Sequence, residues 1–121
     1  MSIAAINSLI VALIGEKGSL EFQRTVIDQR RHSLALHSAF LYEELSAELL
    51  KQDEEGEDAI DDDSFMKEYN AATAQIENQD KFLEMQRTNL QTKLDAITTS
   101  LESAEKRLNK NIENDMKGMG S

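Results

Sequence analysis

Few side chains in this sequence could do chemistry, and their spacing does not build a reaction centre. His32 and His37 lie five residues apart, which on a helix turns their side chains by about 140° from one another. They therefore cannot share a metal ion as an i, i+4 pair does. A carboxylate-bridged metal site in a helical bundle requires Glu-x-x-His pairs, and neither histidine has a glutamate three residues before it.

The other polar side chains also give no sign of a reaction centre. The carboxylate pairs Glu43/Glu44 and Glu102/Glu105 fall among expected surface positions of helices, where solvated acids are common. The chain has no cysteine, which excludes thiolate ligands, disulfides and cysteine nucleophiles. It also lacks a glycine-rich phosphate loop. We therefore predict no catalytic residues, no cofactor and no metal site, and we expect a protein that is not an enzyme.

Charge is concentrated in one segment of the 121-residue chain. The formal net charge is −10, and the eleven residues from Asp53 to Asp63 contain eight acids and no base, so the remainder carries only −2. An acidic chain lacks the basic surface that displaces phosphate counterions, which argues against nucleic acid as a partner. We interpret residues 52–63 as a solvated, mobile loop, with a site for calcium or for a basic partner as the alternative. A calcium loop with Gly56 at its sixth position would place Lys51 where an acidic ligand is required.

The helical pattern is uninterrupted by proline, because the sequence contains none. Glycines mark the places where helices are expected to bend, break or end: Gly15, Gly18, Gly56, Gly118 and Gly120. This spacing predicts four segments: an apolar N-terminal helical segment (1–18), a first long helix (19–51), the acidic loop (52–63) and a second long heptad helix (64–117). The predicted fold is all-α, a long antiparallel helical hairpin resembling a coiled coil, with an acidic connecting loop.

Apolar residues recur every seven positions in both long helices, as in a coiled-coil seam. The first helix contributes Leu20, Ile27, Leu34 and Leu41, and the second contributes Tyr69, Ile76, Leu83 and Leu90. At about 1.5 Å per residue the second helix is roughly 80 Å long and the first about 50 Å. The apolar N-terminus must therefore continue the first arm. An antiparallel register then places Ile3 near Ile112, Ile6 near Leu108 and Leu13 near Leu101. The same register sets Arg31 beside Asp80 and Glu84.

The N-terminus is apolar on nearly every side. Between residues 3 and 14 only Asn7 and Ser8 are polar, and no charge precedes Glu16. A helix of this kind is normally buried all round, and we expect it to be buried at a protein–protein contact. Two alternatives are an interfacial membrane anchor and an export signal. No apolar run reaches the roughly 18 residues needed to span a bilayer.

Two helices alone cannot cover both a broad apolar stripe and this N-terminus, so we expect the hairpin to need partners. The expected assembly interface consists of Ile3, Ile6, Leu9, Ile10, Leu13, Leu94, Ile97, Leu101, Leu108, Ile112 and Met116.

The layout resembles that of proteins exported by bacterial type III and flagellar secretion machinery that assemble into rods, needles or filaments. The likeness rests on the uncharged N-terminal stretch MSIAAINSLIVALIG and on the heptad-patterned C-terminal stretch LQTKLDAITTSLESAEKRLNKNIENDMKGM. The resemblance implies export through an uncleaved N-terminal signal and pairing of the two termini as helices in the wall of an assembly. It also implies a solvent-facing middle, a position that the acidic segment would occupy.

Two hypotheses of different classes follow. In the first, the chain is a structural subunit of an extended helical filament or tube, exported from a bacterial cell and polymerising through its paired terminal helices. In the second, it is a coiled-coil adaptor or chaperone that forms a limited homo- or hetero-oligomer. The expected partners are copies of the chain itself and a secretion chaperone, with membrane contact through residues 3–14 as the less favoured alternative. The resemblance implies a secreted or cell-surface location; without it the chain is expected in the cytoplasm.

Overall fold

The structure is a computed structural model and describes residues 2–55 and 63–119. The protein is a hairpin of two long antiparallel α-helices. Helix α1 spans Ile3–Glu55 and helix α2 spans Asp63–Met119, and the two pack against each other. The predicted all-α helical hairpin is thereby confirmed. Most of the predicted acidic loop, residues 56–62, lies outside the described residues.

The helix ends differ from the expected ones. Helix α1 is continuous through Gly15 and Gly18, so the expected division between segments 1–18 and 19–51 is not a helix break. A glycine inside a helix costs about 1 kcal/mol relative to alanine, which continued hydrogen bonding on either side offsets. At its other end α1 continues through residues 52–55, because neighbouring like charges destabilise a helix by only a few tenths of a kcal/mol per pair.

Ser2 caps the first turn of α1. The Ala5 backbone N–H donates to the Ser2 side-chain Oγ at 3.1 Å, and the Ile6 N–H donates to the Ser2 carbonyl oxygen at 3.0 Å. A serine oxygen in this position satisfies one of the unpaired N–H groups at a helix start. The apolar N-terminus is therefore helical from its third residue.

The hairpin divides into two compact units, each made of one segment from each helix. The first unit combines residues 2–26 with 87–119, and the second comprises the described residues of 27–86. In the first unit the buried apolar side chains are Ile6, Leu20, Leu90, Leu94, Ile97, Leu101 and Ala104. Along α2 their spacing alternates between three and four residues, the spacing that keeps one face of a helix against a partner.

The second unit has a smaller apolar core. Its buried apolar residues are Ile27 on α1 with Ile76 and Leu83 on α2. Leu34, Leu41 and Tyr69, which were expected in the same seam, are partly exposed. The other seam residues, Leu20 and Leu90, are buried in the first unit.

Replacing a buried leucine of the seam should destabilise the hairpin far more than replacing an exposed one. Leu94 is 4% exposed and Leu36 is 59% exposed, so the pair allows the same chemical change at both sites. We expect Leu94→Ala to lower the free energy of unfolding by about 2–4 kcal/mol, and Leu36→Ala to change it by about 0.5 kcal/mol or less. Urea denaturation of dilute protein followed by circular dichroism measures both. Equal losses would contradict this packing.

Alanine at Gly15 or Gly18 should stabilise the hairpin. A Cβ atom built at either position meets no atom within 4 Å, so the substitution adds helix propensity without a clash. We expect a gain of about 0.5–1 kcal/mol for each. Gly118→Ala is the control, since that glycine lies at the end of α2, where helix propensity contributes less. Loss of stability in Gly15→Ala would show that the glycine is needed by the hairpin itself.

Candidate assembly interface

Part of the expected assembly interface lies inside the chain's own core. Ile6, Leu94, Ile97 and Leu101 are all buried in the first unit, and Ile6 is only 1% exposed. Their apolar surface is covered by the opposite helix of the same chain, and a second chain is not required to bury it. From the sequence these four residues were expected to lie in contacts between chains.

The remaining members of that set lie beside the core. Ile3, Leu9, Ile10, Leu13 and Leu108 are partly exposed, while Ile112 and Met116 are exposed. They form a margin of apolar surface along the first unit that a neighbouring molecule can cover.

Three further exposed apolar side chains of the first unit lie on α1 and were not among the expected interface residues. Val11 is 70% exposed, Ile14 is 55% exposed and Phe22 is 69% exposed. Val11 and Phe22 belong to a series that we call the outer seam: Ala4, Ser8, Val11, Gly15, Gly18, Phe22 and Thr25. All seven residues of the outer seam are exposed, and none carries a charge.

The signal for the outer seam was present in the sequence. Its residues are spaced alternately by four and three, in the same manner as a coiled-coil seam. The N-terminal segment is apolar on all sides, however, so this second stripe does not stand out from the first. Only the position of α2 separates the covered face of α1 from the uncovered one.

The exposed side of α2 in the first unit carries charged residues, unlike the outer seam of α1. Exposed residues of α2 in the first unit include Asp95, Glu102 and Lys106. Charged side chains are solvated at little cost, so this side of α2 suits water. The unit therefore has one helix whose far side suits water and one whose far side suits another apolar surface.

Helix α1 is also long and apolar enough to cross a membrane by length and composition, which contradicts the expectation from the sequence. One window of 18 residues has a mean hydropathy of 1.4 and no more than two charged residues. The expectation had counted only the uninterrupted apolar residues. Buried core helices and N-terminal signal sequences give the same pattern, but only 11% of this window is buried. Apart from these buried residues, the window is thus not covered by the rest of the hairpin.

A polar contact aligns the two helices of the first unit. The Arg24 side-chain Nη1 donates to the Gln91 Oε1 at 2.9 Å, and the Gln91 Nε2 donates to the Asp95 Oδ1 at 3.0 Å. The expected register, which places Ile3 near Ile112, also places Arg24 opposite Gln91. The contact orients both α1 and the charged side of α2.

An ion pair aligns the helices of the second unit. The Arg31 Nε donates to the Asp80 Oδ1 at 2.8 Å and its Nη2 donates to the Asp80 Oδ2 at 3.2 Å, a two-pronged contact that the predicted register anticipated. The hydrogen bond from Arg31 lowers the pKa of Asp80, and the same bond raises the pKa of Arg31. The side chains remain 31% and 40% exposed, so water weakens the attraction.

An open groove of about 630 Å³ runs beside this ion pair in the second unit. Leu34 and Ile76 contribute apolar surface, whereas Glu77, Lys81 and Glu84 add charges of both signs. Within the described ranges, 2–55 and 63–119, no three histidine or carboxylate side chains are grouped closely enough to hold a metal ion. Because charges interrupt the apolar surface of this groove, we regard the apolar far side of α1 as the candidate functional surface.

The Arg31–Asp80 pair should stabilise the hairpin only where Asp80 is ionised. Because the folded-state pKa of Asp80 is lowered, this stabilisation is present above its unfolded pKa of about 3.9 and is lost as the pH falls through the folded value. We expect wild type to exceed Asp80→Asn in urea midpoint at pH 7, with the gap closing as the pH falls below the unfolded pKa of Asp80. Arg31→Gln and the double variant complete the cycle. A gap that is independent of pH would contradict the pairing.

Comparison with known proteins found no similarity for this chain: no family model matches it, and neither does any curated protein or solved structure.

Proposed function

We propose that this chain is a structural, self-assembling subunit of an extended helical filament or tube, exported from a bacterial cell and polymerising through its paired N- and C-terminal helices. The proposal is supported by the area that the single chain leaves in water. The accessible surface is 9001 Å². A compact monomer of 13.6 kDa exposes about 6,600 Å², so the excess is about 2,400 Å².

The chain buries too little of itself for a domain of its length. Relative to an unfolded chain of roughly 20,000 Å², folding hides only about 54% of the surface. A domain of half this length already hides about 60%. Obligate interfaces bury about 2,000–5,000 Å² in total. Association of several copies would therefore supply the burial that one hairpin lacks.

The first unit is where this association is expected. It contains the described N- and C-terminal segments of the chain together, and it carries the outer seam and the apolar margin around Leu13 and Met116. An exposed apolar area of this kind marks interaction surfaces in soluble proteins. A subunit with two separate apolar surfaces can contact more than one neighbour, which growth of a filament requires.

A coiled-coil adaptor or chaperone with a limited number of subunits is the second candidate. The observation in its favour is the charged side of α2, with Asp95, Glu102 and Lys106 exposed. That side suits water in the final assembly. A closed dimer or tetramer through α1 alone would leave it in solvent, and growth would stop there.

Imaging and mass measurement of the purified full-length protein test the proposal. We expect regular fibres or tubes in negative-stain electron microscopy, and species much heavier than 13.6 kDa in sedimentation velocity. Compact particles of a few subunits would support the adaptor instead. A helical monomer that persists at high concentration would overturn both. The export component is tested separately by detecting the chain outside intact cells of its native host, with a cytoplasmic marker as the control.

A further inference from the structure

We propose that the outer seam of α1 is covered by the outer seam of a second copy, with the two α1 helices running antiparallel. The inference rests on the proposed function and names the surface and the orientation by which two subunits meet. It concerns the first unit only, over residues 4–22, a stretch of about 27 Å along the helix. Because a two-fold contact closes on itself, growth beyond this pair would use the separate apolar margin of the first unit.

The outer seam has the spacing of a coiled-coil seam, but no helix of the same chain covers it. From Ala4 to Thr25 its members alternate by four and three residues, which keeps them on one side of a helix that pairs with another helix. Every member is exposed and uncharged, including the large side chains of Val11 and Phe22. Solvated helix faces normally carry charged residues, as α2 does at Glu102 and Lys106.

The glycines of the outer seam have no role inside the hairpin. Gly15 and Gly18 lie in the interior of α1, where glycine is a poor helix former, and a Cβ at either position would meet nothing within 4 Å. Their own chain therefore gains nothing from the missing side chains. A glycine on a helix surface does allow another element to approach closely. The seam thus provides cavities at Gly15 and Gly18 and protruding side chains at Val11 and Phe22.

These protruding and small residues are self-complementary in the antiparallel direction. With residues 4–22 of two copies aligned antiparallel and in full overlap, Val11 lies opposite Gly15, Ser8 opposite Gly18, and Ala4 opposite Phe22. Each layer then combines a larger side chain with a smaller one, and two-fold symmetry repeats it. A parallel pair would instead place Phe22 against Phe22 and glycine against glycine, which crowds one layer and leaves voids in others.

A second copy fits the surface better than a different protein or a lipid bilayer. The seam has no charges with which to select a foreign partner by electrostatic complementarity. A bilayer would accept Val11 and Phe22, but it would gain nothing from the three-and-four spacing or from the glycines. The excess of about 2,400 Å², which belongs to one whole chain, also exceeds the roughly 800 Å² that each partner contributes to a standard interface.

A charge placed in the outer seam should prevent the pairing. Phe22→Glu introduces a carboxylate that would be buried between two copies, and Phe82→Glu is its matched control, because Phe82 is 60% exposed on α2. We expect Phe22→Glu to raise the dissociation constant for self-association at least about tenfold and Phe82→Glu to change it less than about twofold. Circular dichroism of each variant verifies the helix content. Unchanged association of Phe22→Glu, or equal effects of both variants, would overturn the proposal.

Cysteine crosslinking tests the orientation, since the natural chain has no cysteine. We expect mild oxidation of a mixture of Val11→Cys and Gly15→Cys to join one chain of each kind, with little product from either variant alone. Strong crosslinking of each variant to itself would indicate parallel pairing and overturn the proposal, as would the absence of any product.

Wild type and the same variants distinguish a failure of this inference from a failure of the proposed function. If wild type assembles but neither the seam variant nor crosslinking behaves as expected, the inference fails and the subunit function stands. If wild type is monomeric, the subunit function fails. Co-flotation of wild type with phosphatidylcholine–phosphatidylglycerol vesicles, combined with monomeric mass, would assign the seam to a bilayer and overturn the pairing.

Discussion

The structure depends on the fact that two paired helices can cover only one stripe of each other. Helix α1 is apolar on more than one side, whereas α2 covers only the side that includes Ile6, Leu20 and Ile27. Val11, Ile14 and Phe22 stay in water as a result. Their exposure is a consequence of the two-helix architecture, because no third element is described that could reach them. The low fraction of surface buried follows from it, and it is the basis of the proposed association between copies.

The parts of the fold that could be predicted from the sequence are those with a clear period. The heptad spacing of Ile76, Leu83 and Leu90 indicates the covered face of α2, and all three side chains are buried. Opposite charges at matched positions predict the pairing of Arg31 with Asp80, and the ion pair is present. Both inferences succeed because polar residues surround the apolar stripe of α2, so its orientation is visible in the residue order alone.

The parts that could not be predicted are those where this contrast is missing. In α1 the N-terminal residues are apolar all round, so no local pattern tells whether Ile6 or Val11 faces α2. The burial of Ile6 and the exposure of Val11 are decided by packing against residues far along the chain. The glycines at 15 and 18 were expected to bend, break or end a helix, whereas α1 continues through both. Their cost is local and small, whereas the hydrogen bonding that carries α1 through them is cooperative over many turns.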